Sequence, residues 1–181
     1  GEFIRVDSND DIYISGSFRG DIVIEGNNIN SGLTNNPGDL LDSNPAQALF
    51  ISKFNSDGSY IWTQTFLHDD SSAAYFNESS GYYSNVMDFE IGNNGFGMML
   101  GQINNVEFIH KFNISEGDDV LTIASTNNED ITDIYMGDTY TYLTGLFSDN
   151  GQFGDLDFES TYWDQEGVII KIDNSDNIEF I

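Results

Sequence analysis

Cysteine is absent from this chain of 181 residues, and no apolar run in it is long enough to cross a lipid bilayer. The lack of cysteine excludes disulfide bonds, thiol nucleophiles and cysteine-ligated zinc. A membrane-spanning helix needs about 20 predominantly apolar residues, so we expect no membrane insertion. Hydrophobic residues still make up 39% of the chain, which is enough to build a packed core rather than a disordered coil.

Positive charge is the second scarcity of the sequence. Five lysines and arginines oppose 31 aspartates and glutamates, and the formal net charge is −26. Binding of nucleic acid requires a basic surface that neutralises phosphates, so nucleic acid is excluded as a partner. An anionic membrane surface is disfavoured for the same reason. Solubility, divalent cations and a basic partner remain as explanations of so much negative charge.

The lysines mark an internal repeat. Residues 50–55 read FISKFN, residues 108–113 read FIHKFN and residues 168–173 read VIIKID, so Lys53, Lys111 and Lys171 occupy equivalent places. Each copy is followed by a polar turn and a second apolar run. We predict that these lysines neutralise local acid or close a turn rather than bind a ligand.

A second recurring phrase precedes each lysine. It reads DIYISG at residues 11–16, FGMMLG at 96–101 and TYLTG at 141–145, and a polar turn precedes each copy. Short runs of β-branched and aromatic residues separated by Asn, Asp and Gly are typical of β-hairpins. We therefore predict one all-β repeat domain over residues 1–181, with three divergent four-stranded antiparallel units at about 2–66, 86–125 and 131–181.

The units differ mainly between their second and third strands. The first unit has a long insert at about 19–47, the third has a moderate insert at about 148–166, and the second has only a short connection. A connector at about 67–85 joins the first two units. Loops that vary on a recurring scaffold are where repeat proteins commonly carry function.

Two stretches of the first unit resemble a known family. Residues 6–17 (VDSNDDIYISGS) and 48–62 (ALFISKFNSDGSYIW) are similar to the bacterial SBBP-type β-propeller repeat, and the other two units share part of the pattern. The resemblance implies propeller-type blades of four antiparallel strands, in secreted or surface-attached bacterial proteins, without shared catalytic residues. The spacing from Gly58 to Trp62 is also similar to quinoprotein-type propeller repeats, in which a tryptophan docks between neighbouring blades. Leu121 and Phe180 stand at the matching places of the other units.

The number of units creates a closure problem. Propellers close with about four to eight blades, which is more than the repeats in this chain supply. We therefore expect the three blades to be part of a larger or oligomeric propeller. Further blades of the same polypeptide and self-association are the two ways of completing it, and the third alternative is that the sheets stack in an open array.

Asp7, Asn9 and Asp11 alternate oxygen-bearing side chains, as the first positions of many calcium loops do. Ile12 and Phe18 then stand where a helix–loop–helix calcium site requires a glycine and a bidentate glutamate. Asx residues in β-turns explain the same pattern without a metal, because their side chains bind nearby backbone N–H groups. A calcium site is therefore one of two interpretations of this turn, the other being an Asx turn without metal. The sequence indicates no cofactor firmly.

Aromatic pairs on the predicted connectors are the candidate ligand-binding residues: Tyr82 and Tyr83, and Tyr162 and Trp163. Exposed rings beside carboxylates suit sugars, whereas the alternative is that these rings fill the core beneath long loops. The histidines lack metal-binding spacing and no G-x-S-x-G motif occurs, so no catalytic residue is assigned.

These features favour a non-catalytic scaffold or binding module, extracellular or at the bacterial cell surface, with a glycan or a protein as its unidentified ligand. An enzyme is not expected. Two alternatives stay open: a structural subunit of a surface filament, and a fragment of a propeller-type hydrolase whose catalytic residues lie elsewhere.

Overall fold

The computed structural model describes residues 2–19, 21–30, 47–66, 84–103, 106–124, 129–147, 150–153, 156–159 and 166–180. Within these residues the protein is all-β, as predicted, and has no helix. It follows that the described part of the chain offers no helix that could cross a membrane. The strands form several four-stranded antiparallel sheets and two short hairpins, and none of the sheets closes on itself.

The strands, in chain order, are β1 (Phe3–Val6), β2 (Ile12–Arg19), β3 (Asp21–Ile24), β4 (Asn27–Asn30), β5 (Gln47–Phe54), β6 (Tyr60–Phe66), β7 (Ser84–Ile91), β8 (Phe96–Ile103), β9 (Val106–Asn113), β10 (Asp119–Ala124), β11 (Glu129–Met136), β12 (Tyr140–Phe147), β13 (Asn150–Phe153), β14 (Leu156–Glu159), β15 (Glu166–Asp173) and β16 (Ile178–Phe180). Sheet 1 has the order β1-β2-β5-β6, sheet 2 the order β7-β8-β9-β10, and sheet 3 the order β11-β12-β15-β16. The pairs β3-β4 and β13-β14 form the separate hairpins.

The three sheets have equivalent registers. In each, the lysine on the third strand pairs with one residue on the second strand and one on the fourth: Tyr13 and Trp62 for Lys53, Met98 and Leu121 for Lys111, and Tyr142 and Glu179 for Lys171. The lysine phrase therefore marks the same place in each sheet.

The sheets pack face to face in chain order. One hydrophobic cluster joins sheet 1 to sheet 2 through Tyr13, Leu49 and Ile51 on one side and Phe89, Met99 and Phe112 on the other. A second cluster joins sheet 2 to sheet 3 through Met98, Leu100 and Ile109 against Ile134, Leu143 and Ile170. Sheet 2 is thus covered on both faces, which explains why β8 has a continuous apolar run instead of the alternation of a half-exposed strand.

Carboxylates of one sheet bind the first strand of the next. β7 and β11 each have a register shift, at Val86/Asp88 and at Ile131/Asp133, and such a bulge leaves a backbone N–H without its ladder partner. Glu2 Oε2 accepts the N–H of Val86 at 2.6 Å, and Glu107 Oε2 accepts that of Ile131 at 3.1 Å. Some of the negative charge of the chain therefore serves to satisfy buried backbone groups at sheet junctions.

The β3-β4 hairpin lies against the outer face of sheet 1. Its Ile22, Ile24 and Ile29 pack on a cluster formed by Phe18, Ala48 and Phe50. The hairpin falls within the insert predicted at 19–47, and β13-β14 falls within the insert predicted at 148–166. Neither hairpin is predicted by the sequence pattern, because each of these strands has only four residues.

Candidate functional site

Each sheet has a lysine face, which we define as the side that carries its lysine. In sheet 1 this face includes Tyr13, Leu49, Ile51 and Lys53; in sheet 2, Met98, Leu100, Ile109 and Lys111; in sheet 3, Tyr135, Tyr142, Leu146, Ile169 and Lys171. The lysine faces of sheets 1 and 2 form the packing surfaces against the following sheet.

The first two lysines reach across to the next sheet. Lys53 Nζ lies 2.9 Å from Asp11 Oδ2 and donates to the carbonyl oxygen of Ile114 at 3.1 Å. Lys111 forms an ion pair with Asp176. Ile114 and Asp176 both belong to the turn between the third and fourth strands of the following sheet. The prediction that the lysines neutralise local acid is confirmed, and two of them also bridge sheets.

The lysine face of sheet 3 is open. Ile51, Ile109 and Ile169 each stand two residues before the lysine, yet their exposed fractions are 0%, 2% and 42%. Tyr135 and Leu146 on the same face are also exposed, and Lys171 pairs with Glu179 of its own sheet at 3.0 Å. We call Tyr135, Leu146, Ile169 and Lys171 the open lysine face. It repeats the chemistry of two buried packing surfaces, but no sheet formed by the described residues lies on top of it.

Trp62 docks between sheets 1 and 2. Its ring lies edge-on to Phe112 of sheet 2, with ring centroids 6.0 Å apart. It also covers Gly117, which has φ +80° in the turn between β9 and β10. A Cβ at Gly117 would lie 2.8 Å from the Trp62 ring. Only glycine therefore suits both the backbone conformation and the close approach of the indole.

Replacing Gly117 by alanine is expected to lower the free energy of unfolding by about 2–5 kcal/mol, as the sum of left-handed backbone strain and overpacking against Trp62. Gly58→Ala is the matched control, since Gly58 has φ +87° but a Cβ there would meet nothing within 4 Å. Urea denaturation should show a smaller loss for Gly58→Ala, of about 1–2 kcal/mol. Equal losses would mean that the tryptophan contact does not stabilise the junction.

The turn with the predicted calcium residues is held together by its own hydrogen bonds. Asp7 Oδ1 accepts the backbone N–H groups of Asn9 at 2.8 Å and Asp11 at 3.0 Å, and Asp7 Oδ2 accepts the Tyr13 hydroxyl at 3.1 Å. The Asp11 carboxylate is paired with Lys53. Burial, and then the charge of Asp7, raise the pKa of Tyr13 far above its usual value. These contacts are those of an Asx turn. Calcium binding by Asp7, Asn9 and Asp11 stays a prediction.

Within the described ranges, no group of three or more His, Cys, Asp or Glu side chains is arranged to hold a metal ion. The candidate ligand-binding aromatics Tyr82, Tyr83, Tyr162 and Trp163 lie outside the described residues. Their predicted role is therefore unchanged.

A cavity of about 340 Å³ lies between the outer strands of sheets 1 and 2. It is lined from β6 by Gln64, Thr65 and Phe66, from β9 by Phe108 and His110, and from β10 by Asp119 and Thr122. Two buried side-chain atoms on this lining, His110 Nε2 and Gln64 Oε1, have no hydrogen-bond partner among the described residues. A buried polar atom without a partner costs about 1–3 kcal/mol, and neither of these two atoms is accessible from the cavity.

The hydrogen bonds of His110 indicate which ring nitrogen is the acceptor. Nδ1 lies 2.9 Å from Thr122 Oγ1 and 3.3 Å from Asp119 Oδ1. The Thr122 hydroxyl donates to the Asp119 carboxylate, at 3.3 Å from Oδ2, so Nδ1 is assigned as the donor to these oxygens. Nε2 of the neutral ring is then an acceptor. Burial lowers the pKa of His110 to about 4, although the charge of Asp119 opposes the shift.

The lysine phrases FISKFN, FIHKFN and VIIKID align His110 with Ser52 and Ile170, but they give no indication of Gln64. The register confirms the position, because His110 pairs with Met99 as Ser52 pairs with Ile14 and Ile170 with Leu143. Gln64 and His110 line one cavity because β6 of one sheet lies beside β9 of another, where the Phe66 and His110 rings have centroids 4.2 Å apart. No local signal in the sequence indicates that arrangement.

Fold and contacts together define the class: an all-β repeat protein of four-stranded antiparallel sheets packed face to face, with bridging lysines at their junctions. Comparison with known proteins adds no family, since neither a family model nor a curated protein matches the chain.

Proposed function

We propose that the chain is a non-catalytic scaffold of propeller-type blades, secreted or attached to the surface of a bacterium, whose open lysine face accepts a further blade. The observation that carries this proposal is the series Ile51, Ile109 and Ile169. The first two are buried by the following sheet, and the third offers the same side chain in the same register to solvent. Exposed apolar side chains grouped on one face are typical of binding sites for other protein surfaces.

The contacts between sheets 1 and 2 and between sheets 2 and 3 indicate what kind of blade would fit the open lysine face. A fitting blade is a four-stranded antiparallel sheet with an apolar face opposite its own lysine, as Phe89 and Met99 provide in sheet 2. Its turn between the third and fourth strands would present an oxygen to Lys171, as Ile114 does to Lys53. Lys171 would then exchange its exposed partner Glu179 for a buried acceptor, which strengthens the hydrogen bond.

A second copy of this chain does not fit the open lysine face in the same way. The equivalent docking surface on a second copy would be the outer face of sheet 1. The β3-β4 hairpin already packs against the centre of that face, over Phe18, Ala48 and Phe50. A further blade encoded beside this chain in the same polypeptide is therefore the occupant that we propose.

The test compares this chain with a version extended by the residues that follow it in its gene. We expect the 181-residue chain to sediment as a monomer and the extended chain to melt at a higher temperature. Ile169→Lys should lower the melting temperature by several degrees in the extended chain and by far less in the shorter one. Ile61→Lys, the same substitution at an isoleucine of β6 in sheet 1 that is also 42% exposed, is the control for added charge away from the open lysine face.

Several results would overturn the proposal. One is a reading frame that stops directly after residue 181. Another is an extended chain in which Ile169→Lys has no effect. Concentration-dependent assembly of the 181-residue chain that Ile169→Lys abolishes would instead make a second copy the occupant.

A further inference from the structure

We infer that Asp133 is a recognition residue for the blade that docks on the open lysine face, and that its carboxylate accepts a backbone N–H from the first strand of that blade. This inference rests on the proposed function and adds a polar contact that fixes where the first strand of the docking blade lies. It follows from a comparison of Asp133 on β11 with Asp88 on β7.

Asp88 and Asp133 occupy the same place in sheets 2 and 3. Each is the first paired residue after the register shift of its strand. Through the cross-strand pairs, Asp88 lies in one row with Ile109, and Asp133 lies in one row with Ile169. Residues directly opposite one another on neighbouring strands lie on the same face, so each aspartate belongs to the lysine face of its sheet.

The two carboxylates form the same local hydrogen bond. Asp88 Oδ1 accepts the N–H of Phe89 at 2.7 Å, and Asp133 Oδ1 accepts the N–H of Ile134 at 3.0 Å. This contact holds one oxygen against the backbone and leaves Oδ2 for another donor. In sheet 2 the following sheet supplies that donor, because Asp88 Oδ2 accepts the N–H of Ile134 at 2.7 Å. Among the described residues, none donates a hydrogen bond to Asp133 Oδ2.

Burial explains why the docking blade has to supply a donor. Asp88 is only 7% exposed beneath sheet 3, whereas Asp133 is exposed. Burial raises the pKa of Asp88, and the N–H groups of Ile134 and Phe89 oppose that shift because they stabilise the charged carboxylate. A blade on the open lysine face would bury Asp133 in the same way. Burying a carboxylate without a donor is costly, so the fitting blade is one that offers an N–H at this place.

The position of the donor indicates how the docking blade lies. The first strands β1, β7 and β11 are edge strands of their sheets, and β7 lies beside both of the others. An edge strand has backbone N–H groups that its own sheet leaves unpaired, and Ile134 donates such a group to Asp88. We therefore expect the docking blade to place its first strand beside β11, as β11 lies beside β7, with the N–H at the place of Ile134 bound to Asp133.

Amide hydrogen exchange in the 181-residue chain tests the existing contact first. Asp88→Ala should speed the exchange of the Ile134 amide by at least about tenfold, because the charged acceptor from sheet 2 is lost. Asp21→Ala removes the same charge from an exposed position of β3 and should leave that rate unchanged. An unchanged rate in Asp88→Ala would overturn the inference, since the contact that Asp133 is expected to repeat would then not stabilise the junction.

The second measurement compares the 181-residue chain with the version extended by the residues that follow it in its gene. Asp133→Ala should lower the melting temperature by at least about 2 °C more in the extended chain, because only there does Oδ2 have a donor. Loss of the local contact with Ile134 is common to both lengths and cancels. An amide beyond residue 181 should also lose its protection from exchange in this variant. Asp21→Ala should cost the same in both lengths.

Variants at Asp133 and Ile169 separate this inference from the proposed function. If Ile169→Lys destabilises only the extended chain and Asp133→Ala costs the same in both lengths, the blade docks without Asp133 and the inference is overturned. If Asp133→Ala shows the additional loss and Ile169→Lys has no effect, the role of Asp133 as an acceptor stands and docking through the apolar face is overturned. A reading frame that stops directly after residue 181 overturns both.

Discussion

Replacing Ile109 by alanine is expected to lower the free energy of unfolding by about 2–5 kcal/mol, whereas Ile169→Ala is expected to cost about 1 kcal/mol or less. Ile109 is 2% exposed and packs between sheets 2 and 3, while Ile169 is 42% exposed on the open lysine face. Truncating a buried isoleucine loses its transfer free energy and leaves a cavity. Truncating an exposed one loses mainly its preference for a strand.

The two positions are unusually well matched for this comparison. Both isoleucines lie on the third strand of a sheet, two residues before the lysine, and each pairs with a residue on the second strand. Strand position and strand propensity are therefore nearly the same. What differs is the sheet on top and, among the described residues, a partner on the fourth strand, which Ile109 has in Ile123. Ile51→Ala, at the fully buried equivalent in sheet 1, should behave as Ile109→Ala does.

Urea denaturation of the 181-residue chain, followed by circular dichroism, measures all three variants under one condition. A loss at Ile169 as large as that at Ile109 would contradict the open lysine face, because it would mean that the face is covered in solution. Repeating the Ile169→Ala measurement over a range of protein concentrations would show whether a second copy provides that cover.

Acidification is expected to remove about 3 kcal/mol of stability through His110 alone. In the unfolded chain a histidine has the ordinary pKa of 6.5, and in the folded protein burial lowers the pKa of His110 to about 4. Between these two values the unfolded state binds more protons than the folded state. The contribution of His110 is therefore fully present above about pH 6.5, falls as the pH falls, and is lost below about pH 4.

The measurement is the difference in free energy of unfolding between the parent chain and His110→Gln, taken at intervals from pH 7 to pH 4. Many carboxylates also titrate in this range, but their contribution is common to both proteins and cancels in the difference. His68→Gln removes the only other histidine and provides the control. Curves that run parallel for the parent and His110→Gln would show that His110 is not buried in its neutral form.

Part of the negative charge of the chain has a structural role, because some carboxylates form hydrogen bonds at the junctions between sheets. Asp88 Oδ2 accepts the backbone N–H of Ile134 at 2.7 Å, and its pKa is raised, mainly by burial. Arg5 lies beside the same carboxylate and donates to Glu90 at 3.0 Å. Carboxylates at the first strands therefore link one sheet to the next, together with the lysines at the third strands.

One sequence alignment was wrong by a residue, for a specific physical reason. Phe180 was matched with Trp62 and Leu121, but the residue that pairs with Lys171 is Glu179. The outer hairpins of sheets 1 and 2 each contain a register shift, at Lys53/Phe54 and at Asp119/Leu121, and no such shift interrupts β15-β16. One residue fewer before the fourth strand moves every later residue by one place, and thus to the other face of the sheet.

The lysines with which the repeat was found show what the sequence alone determined. Strand alternation and turn chemistry act over a few residues, so the all-β class, the repeated four-stranded units and the equivalence of Lys53, Lys111 and Lys171 could all be read locally. The tertiary structure decided which lysine faces are covered, because burial of Ile51 and Ile109 depends on the following sheet, and no described sheet follows sheet 3 to cover Ile169. It also brought Gln64 and His110 to one cavity, a juxtaposition that arises from sheet packing and not from any pattern along the chain.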